Sequence, residues 1–130
     1  MNILIDTQVL VWLVSENSSL GPQSKKLLSD SANQINVSYF AFFELAIKSS
    51  IGKITYDKTI IDDIAKMDIK LVQAGLDALK KYQVFDKKNK DPFDNILIAT
   101  ALSEKLSLMT SDRNILGINA SGVKFLDARR

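Results

Sequence analysis

At 130 residues, 46% hydrophobic and 25% charged, the chain has the length and apolar content of one domain, 1–130, that buries its own core. It holds no Cys and no His, which excludes thiolate nucleophiles, imidazole bases and the usual zinc ligand sets. The formal charge of +2 permits a polyanionic partner without requiring one. If the chain hydrolyses anything, the common remaining route is a hard cation such as Mg²⁺ or Mn²⁺ held by carboxylates. Its apolar runs fall far short of the roughly 18 residues a membrane span needs. The chain opens directly on an apolar run without a basic leader, so a cytoplasmic protein is expected.

Asn2 to Ile5 is an apolar run that stops at Asp6-Thr7, the pattern of a buried strand with a polar pair at its carboxyl end; the spacing predicts a helix over 8–14. After Leu20-Gly21-Pro22, a short surface helix is expected over 23–31. Ile35-Asn36-Val37 reads as a strand leading to Ser38, which can cap an apolar helix over 39–50 that ends at Gly52. A periodic helix over 59–67, a strand over 69–72 and a helix over 74–82 follow. The lysine-rich stretch 84–90 connects to a strong helix over 92–104. A strand over 106–110, Ser111-Asp112, a helical turn over 113–116 and a last strand over 123–126 precede a basic tail. Strands alternating with helices argue for an α/β fold with a central parallel sheet covered on both faces, in which ligands bind outside the carboxyl ends of the strands. Asp6 and Asp112 fall at such ends.

Four acids, Asp6, Glu44, Asp94 and Asp112, then draw the chemistry. Glu44 lies within Phe40-Ala41-Phe42-Phe43-Glu44-Leu45-Ala46-Ile47, where it is either exposed beside Lys48 one turn on, or buried and in need of a partner or cation. In Asp91-Pro92-Phe93-Asp94, Asp91 reads as an N-cap, Pro92 as the first helical residue and Asp94 as a first-turn acid favoured by the helix dipole. Asp6 has a capping role of its own, and Asp112 reads as a turn residue. The joint placement carries the functional argument, because clustered carboxylates repel one another until a cation neutralises them.

Leu4-Ile5-Asp6-Thr7 with Leu10 and Trp12, Ser38 with Phe43 to Lys48 and Gly52-Lys53-Ile54, Asp91-Pro92-Phe93-Asp94 with Ala99, and Thr110-Ser111-Asp112 follow in order along nearly the whole chain. In this order they resemble the blocks of PIN-domain proteins of the VapC toxin type. The resemblance implies a PIN fold, a single-domain α/β/α sandwich, and a Mg²⁺- or Mn²⁺-dependent endoribonuclease acting as the toxin of a toxin–antitoxin pair. It also implies a homodimer and a small cognate antitoxin. By the resemblance Asp6, Glu44, Asp94 and Asp112 are the catalytic, metal-binding acids, Asp6 and Asp94 foremost, with Asp91 a further candidate. Thr7, Thr110 and Ser111 match polar positions bordering the pocket. Gln8 and Asn89 stand where the resembled branch usually has His, Asn95 where it has Arg, and Phe43 where it has Trp. None of these is one of the four acids, so hydrolysis is expected to survive.

Lys80, Lys81, Lys87, Lys88 and Lys90 crowd the approach to Asp91 and read either as an RNA phosphate-binding group or as a solvated loop. Trp12, Phe40, Phe42 and Phe43 are expected in the core. Three other readings stand beside the ribonuclease. A PIN fold that only binds RNA or a partner fits the same residues. A receiver-like acidic switch would want paired acids after the first strand, where Asp6 stands alone, and an Asp-x-Asp phosphatase would want an acid where Gln8 stands.

Overall fold

The computed structural model describes residues 1–52, 60–84, 91–118 and 122–130. The β-branched and apolar runs form strands β1 (Asn2–Ile5), β2 (Gln34–Ser38), β3 (Ile69–Val72), β4 (Ser107–Thr110) and β5 (Phe125–Asp127). All are parallel, in the order β3-β2-β1-β4-β5. Between them run α1 (Thr7–Val14), α2 (Pro22–Ser29), α3 (Tyr39–Ser50), α4 (Ile60–Ala65), α5 (Leu76–Val84), α6 (Pro92–Glu104) and α7 (Arg113–Leu116).

Successive residues of a strand face opposite sides of a sheet, and here that alternation divides the core in two. Ile3, Ile5, Ile35, Val37 and Met109 pack with α1, α2, α3 and α4 through residues such as Leu10, Leu28, Leu45 and Ile64. Leu4 and Leu108 pack on the other face with Leu97, Ile98 and Ala101 of α6 and Ile115 of α7. Each Leu, Ile, Val or Met among them contributes about 1.5–3 kcal/mol by leaving water. The result is the α/β/α sandwich with a central parallel sheet expected from the alternation.

The chain builds outward from β1 to β2 and β3, then crosses back to place β4 on the other side of β1 and β5 beyond it. The strand order therefore reverses between β1 and β4. In an open parallel sheet the crevice forms at that switch point, outside the carboxyl ends of the two strands. Ile5 is level with Met109 on one side and Val37 on the other, so the next residues, Asp6, Thr110 and Ser38, meet at one edge.

Two expectations change. Phe43 is not in the core but 56% exposed, and Trp12, Phe40 and Phe42 are half-buried. Only one side of α3 can reach the sheet, and its sequence is apolar almost all round, so the outer side carries Tyr39, Phe43 and Ile47 exposed, with exposed Ile51 just past its end. The helix expected over 74–82 begins at Leu76 and runs to Val84, just after Gly75. Residues 85–90, with Lys87, Lys88, Asn89 and Lys90, lie outside the described residues, as do Lys53 and Ile54. Among the described residues no helix is long and apolar enough to cross a membrane.

Candidate active site

β1 ends by handing the chain to α1 through Asp6, whose extended backbone makes it the N-cap. Its Oδ1 accepts the Val9 N–H at 2.8 Å and its Oδ2 accepts the Thr110 hydroxyl at 2.5 Å, from the neighbouring strand. The Thr110 Oγ1 in turn accepts the Asp112 N–H at 3.0 Å. Thr110 is fully buried and Asp6 is 7% exposed. Burial pushes the Asp6 carboxyl above the ordinary aspartate range, and the charge of Glu44 adds to the rise. The bonds from Thr110 and from the Val9 and Ser111 N–H groups oppose it without cancelling it. Asp112 caps α7 by accepting the Asn114 N–H at 2.8 Å.

α3 supplies Glu44 on its inner side, 4% exposed, directly beside the exposed Phe43. That inversion of the usual helix pattern answers the question left by the sequence: the acid is buried and held. The Thr7 hydroxyl donates to its Oε1, and the Lys48 Nζ lies 2.8 Å from its Oε2. Burial works against the Lys48 charge, but the bond to Glu44 and the charges of Glu44, Asp91 and Asp94 outweigh it and raise its pKa.

α6 brings the remaining acids. Asp91 caps it by accepting the Phe93 N–H at 2.9 Å, Pro92 starts it, and Asp94 sits in its first turn. Carboxylate oxygens of Glu44, Asp91 and Asp94 all lie within 4.8 Å of one another. Each acid thus keeps the local role that capping or ion pairing predicts, and the fold turns those local roles toward a common space.

That space is a cavity of about 430 Å³. Asp6, Glu44, Asp94 and Asp112 all line it, as do Asp91, Thr7, Ser111 and Gln8. Thr110 stands behind Asp6 rather than on the wall. Asp91 joins Glu44 and Asp94 in the close group of oxygens, whereas the Asp6 oxygens turn to the N-terminus of α1 and to Thr110. Lys80 and Lys81 are exposed on α5 and do not line the cavity.

Four further lining residues escaped the sequence reading as site residues: Trp12, Lys48, Arg113 and Arg129. Lys48 carried a signal, its i, i+4 spacing from Glu44. Arg129 carried none, being part of a basic tail far from any of the motifs. Its guanidinium lies 5.7 Å from the Trp12 ring centre, and its Nη1 donates to the Ser111 carbonyl.

The PIN domain family matches residues 3–119 of the chain. No curated relative matches it. Among solved structures it is similar to VapBC2 from Rickettsia felis, bound to a DNA fragment from its promoter, with a TM-score of 0.72 at 14% identity over 98% of each chain. It is similar to VapBC-1 from nontypeable Haemophilus influenzae, with a TM-score of 0.69 at 16% identity over 100% of each chain. A toxin–antitoxin complex from Klebsiella pneumoniae gives a TM-score of 0.61 at 22% identity, covering 93% of this chain and 94% of the other. At these identities the structures share the fold.

Proposed function

This chain belongs to the PIN-domain family, and from that premise we propose that it is a Mg²⁺- or Mn²⁺-dependent endoribonuclease, the toxin of a cytoplasmic toxin–antitoxin pair. The observation that carries the reading is the convergence of Asp6, Glu44, Asp91, Asp94 and Asp112 on one cavity at the switch point of the sheet. So many acids in one partly buried space are stable together when a cation balances them. Lys48 offers one positive charge, already engaged by Glu44.

The residues fit a hard divalent ion. The cluster offers only oxygen donors, three of them within 4.8 Å of one another, in a chain that lacks His and Cys. Glu44, Asp91 and Asp94 would hold the ion, and Asp6 and Asp112 complete the acidic set from the strand ends. When bound, such an ion activates water for attack at phosphorus and offsets charge on the phosphate. The protein's own contribution is orientation. Thr7 fixes one oxygen of Glu44, Thr110 fixes one oxygen of Asp6, and the N-termini of α1, α6 and α7 hold Asp6, Asp91 and Asp112 in place. Similarity to VapBC structures and to a toxin–antitoxin complex supports an antitoxin as partner, and a homodimer is proposed as the working form.

The test incubates structured RNA with the purified chain and with Asp6→Asn, in Mg²⁺, Mn²⁺ or EDTA. Cleavage should require the ion and the aspartate, and should leave 3′-hydroxyl and 5′-phosphate ends. Cleavage that persists in EDTA, or that leaves a 2′,3′-cyclic phosphate, overturns the reading.

A further inference from the structure

Five acids line the cavity, more negative charge than one divalent ion balances, so even with the ion bound the site repels a polyanionic substrate as it approaches. Positive charge must stand at the rim. Lys48, Arg113 and Arg129 are the basic residues that line the cavity among those described. Lys48 is bonded to Glu44 at 2.8 Å, so its charge is already matched. Arg113, the first residue of α7, is exposed, as Arg129 is, and no contact among the described residues fixes its guanidinium. Arg129 differs from both, since its guanidinium is braced in position yet makes no ion pair among the described residues.

We propose that Arg129 is the phosphate-binding residue of this site, receiving an RNA phosphodiester beside the acids with its guanidinium braced on Trp12 and the Ser111 carbonyl. The proposal rests on the ribonuclease reading above. The brace uses one of five N–H donors and the ring covers one face, leaving the fork that matches a phosphate bidentately. The backbone beneath it is equally fixed. The Arg129 N–H bonds the Asp127 Oδ1 at 3.0 Å, and on either side Ala128 N–H bonds Thr110 O and Arg130 O accepts the Ser24 N–H, both at 2.9 Å. Gly21 allows this close passage, because a Cβ there would fall 2.3 Å from the Arg129 carbonyl oxygen. A solvated tail arginine has no such support. This one is pre-organised, and the carbonyl it holds belongs to the residue before Asp112, so one loop carries both the acid and the cation's anchor.

A brace for that loop is the competing role, and the experiment separates the two. In an Asp94→Asn chain, where cleavage is removed, binding of a short labelled RNA is measured across a range of NaCl concentrations with and without Arg129→Gln. Arg129→Gln should weaken binding by about tenfold and reduce the salt slope by about one. Arg129→Lys should keep the slope while losing part of the affinity, and in the active chain should raise KM more than it lowers kcat. Trp12→Leu should weaken binding by a smaller factor. A lowered Tm with unchanged affinity and salt slope in Arg129→Gln overturns the proposal and leaves only the brace. Should Arg129→Gln fail to fold, a wild-type KM in Arg129→Lys together with wild-type affinity in Trp12→Leu overturns it as well. If the wild-type chain cuts RNA and Arg129→Gln cuts it with the same KM, this proposal alone falls; if the wild-type chain neither binds nor cuts RNA, the ribonuclease reading falls and takes this one with it.

Discussion

Ile5 ends β1 and Asp6 follows it, and Met109 and Thr110 are neighbours on β4, yet within each pair the chemistry changes while the burial hardly does. Ile5, Met109 and Thr110 are fully buried and Asp6 is 7% exposed. Inside the strands, burial removes apolar surface from water and stabilises the fold. One residue further on, the same degree of burial strips water from a carboxylate and raises its pKa. The contrast shows a polar edge kept against the preference of the core beside it, as expected where structure serves chemistry at some expense of stability.

The sharpest way to break that contrast is Asp6→Asn. Asparagine can still accept the Val9 N–H, so the cap survives, but cleavage of RNA should fall about a thousandfold or more, on the order of 4 kcal/mol in the barrier, while thermal stability of the metal-free protein at neutral pH changes little, the lost acceptor for the Thr110 hydroxyl being offset by relief of the buried charge. Assaying the same preparation by RNA cleavage and by thermal melting checks both halves. The mirror-image change, Leu108→Ala, removes a fully buried side chain from the interior. It should destabilise by about 2–5 kcal/mol in denaturant titration, with the folded fraction retaining its specific activity.

Mg²⁺ should act only on the polar edge. At about ten times its Kd it should add about 1.4 kcal/mol to wild-type stability and little to Asp94→Asn, as read from melting curves with and without the ion. The smallest effect is pH dependence. Because the folded Asp6 pKa lies above its unfolded value, its contribution is fully present below the unfolded carboxylate range and is lost as pH rises through the folded value. Asp6→Asn removes that titration. The stability difference between the two proteins, without metal, should therefore be smallest in acid and open in favour of the variant as pH rises; a constant gap between pH 3 and 7 would show that burial of the charge is not what separates them.

The features legible in the sequence were those with local causes. Asp91-Pro92 announced the start of α6 to the residue, and Asp6 at the end of an apolar run announced both a strand end and a cap. Glu44 was legible as a question, since periodicity alone could not say which side of so apolar a helix faces the sheet. What stayed hidden depends on strand order and on contacts between distant segments. The nearness of Asp6 to Asp112 required β4 to lie beside β1, and Trp12 and Phe43 were assigned to the core from apolar character without knowing which sides of α1 and α3 were already covered. Arg129 reaches the cavity only because Asp127 and Ala128 turn the chain back across α2 and β4.

Asp6 and the threonine that holds it are 104 residues apart. During synthesis β1, β2 and the helices between them leave the ribosome before Ser107–Thr110 does, and until β4 pairs with β1 Asp6 keeps only its local bond from the Val9 N–H and lacks the Thr110 donor. Pairing so distant in sequence forms late and slowly compared with the local caps. A nascent or truncated chain therefore contains most of the acids without containing the site, and any activity of the finished protein appears in one step, when the central strand gains its second neighbour.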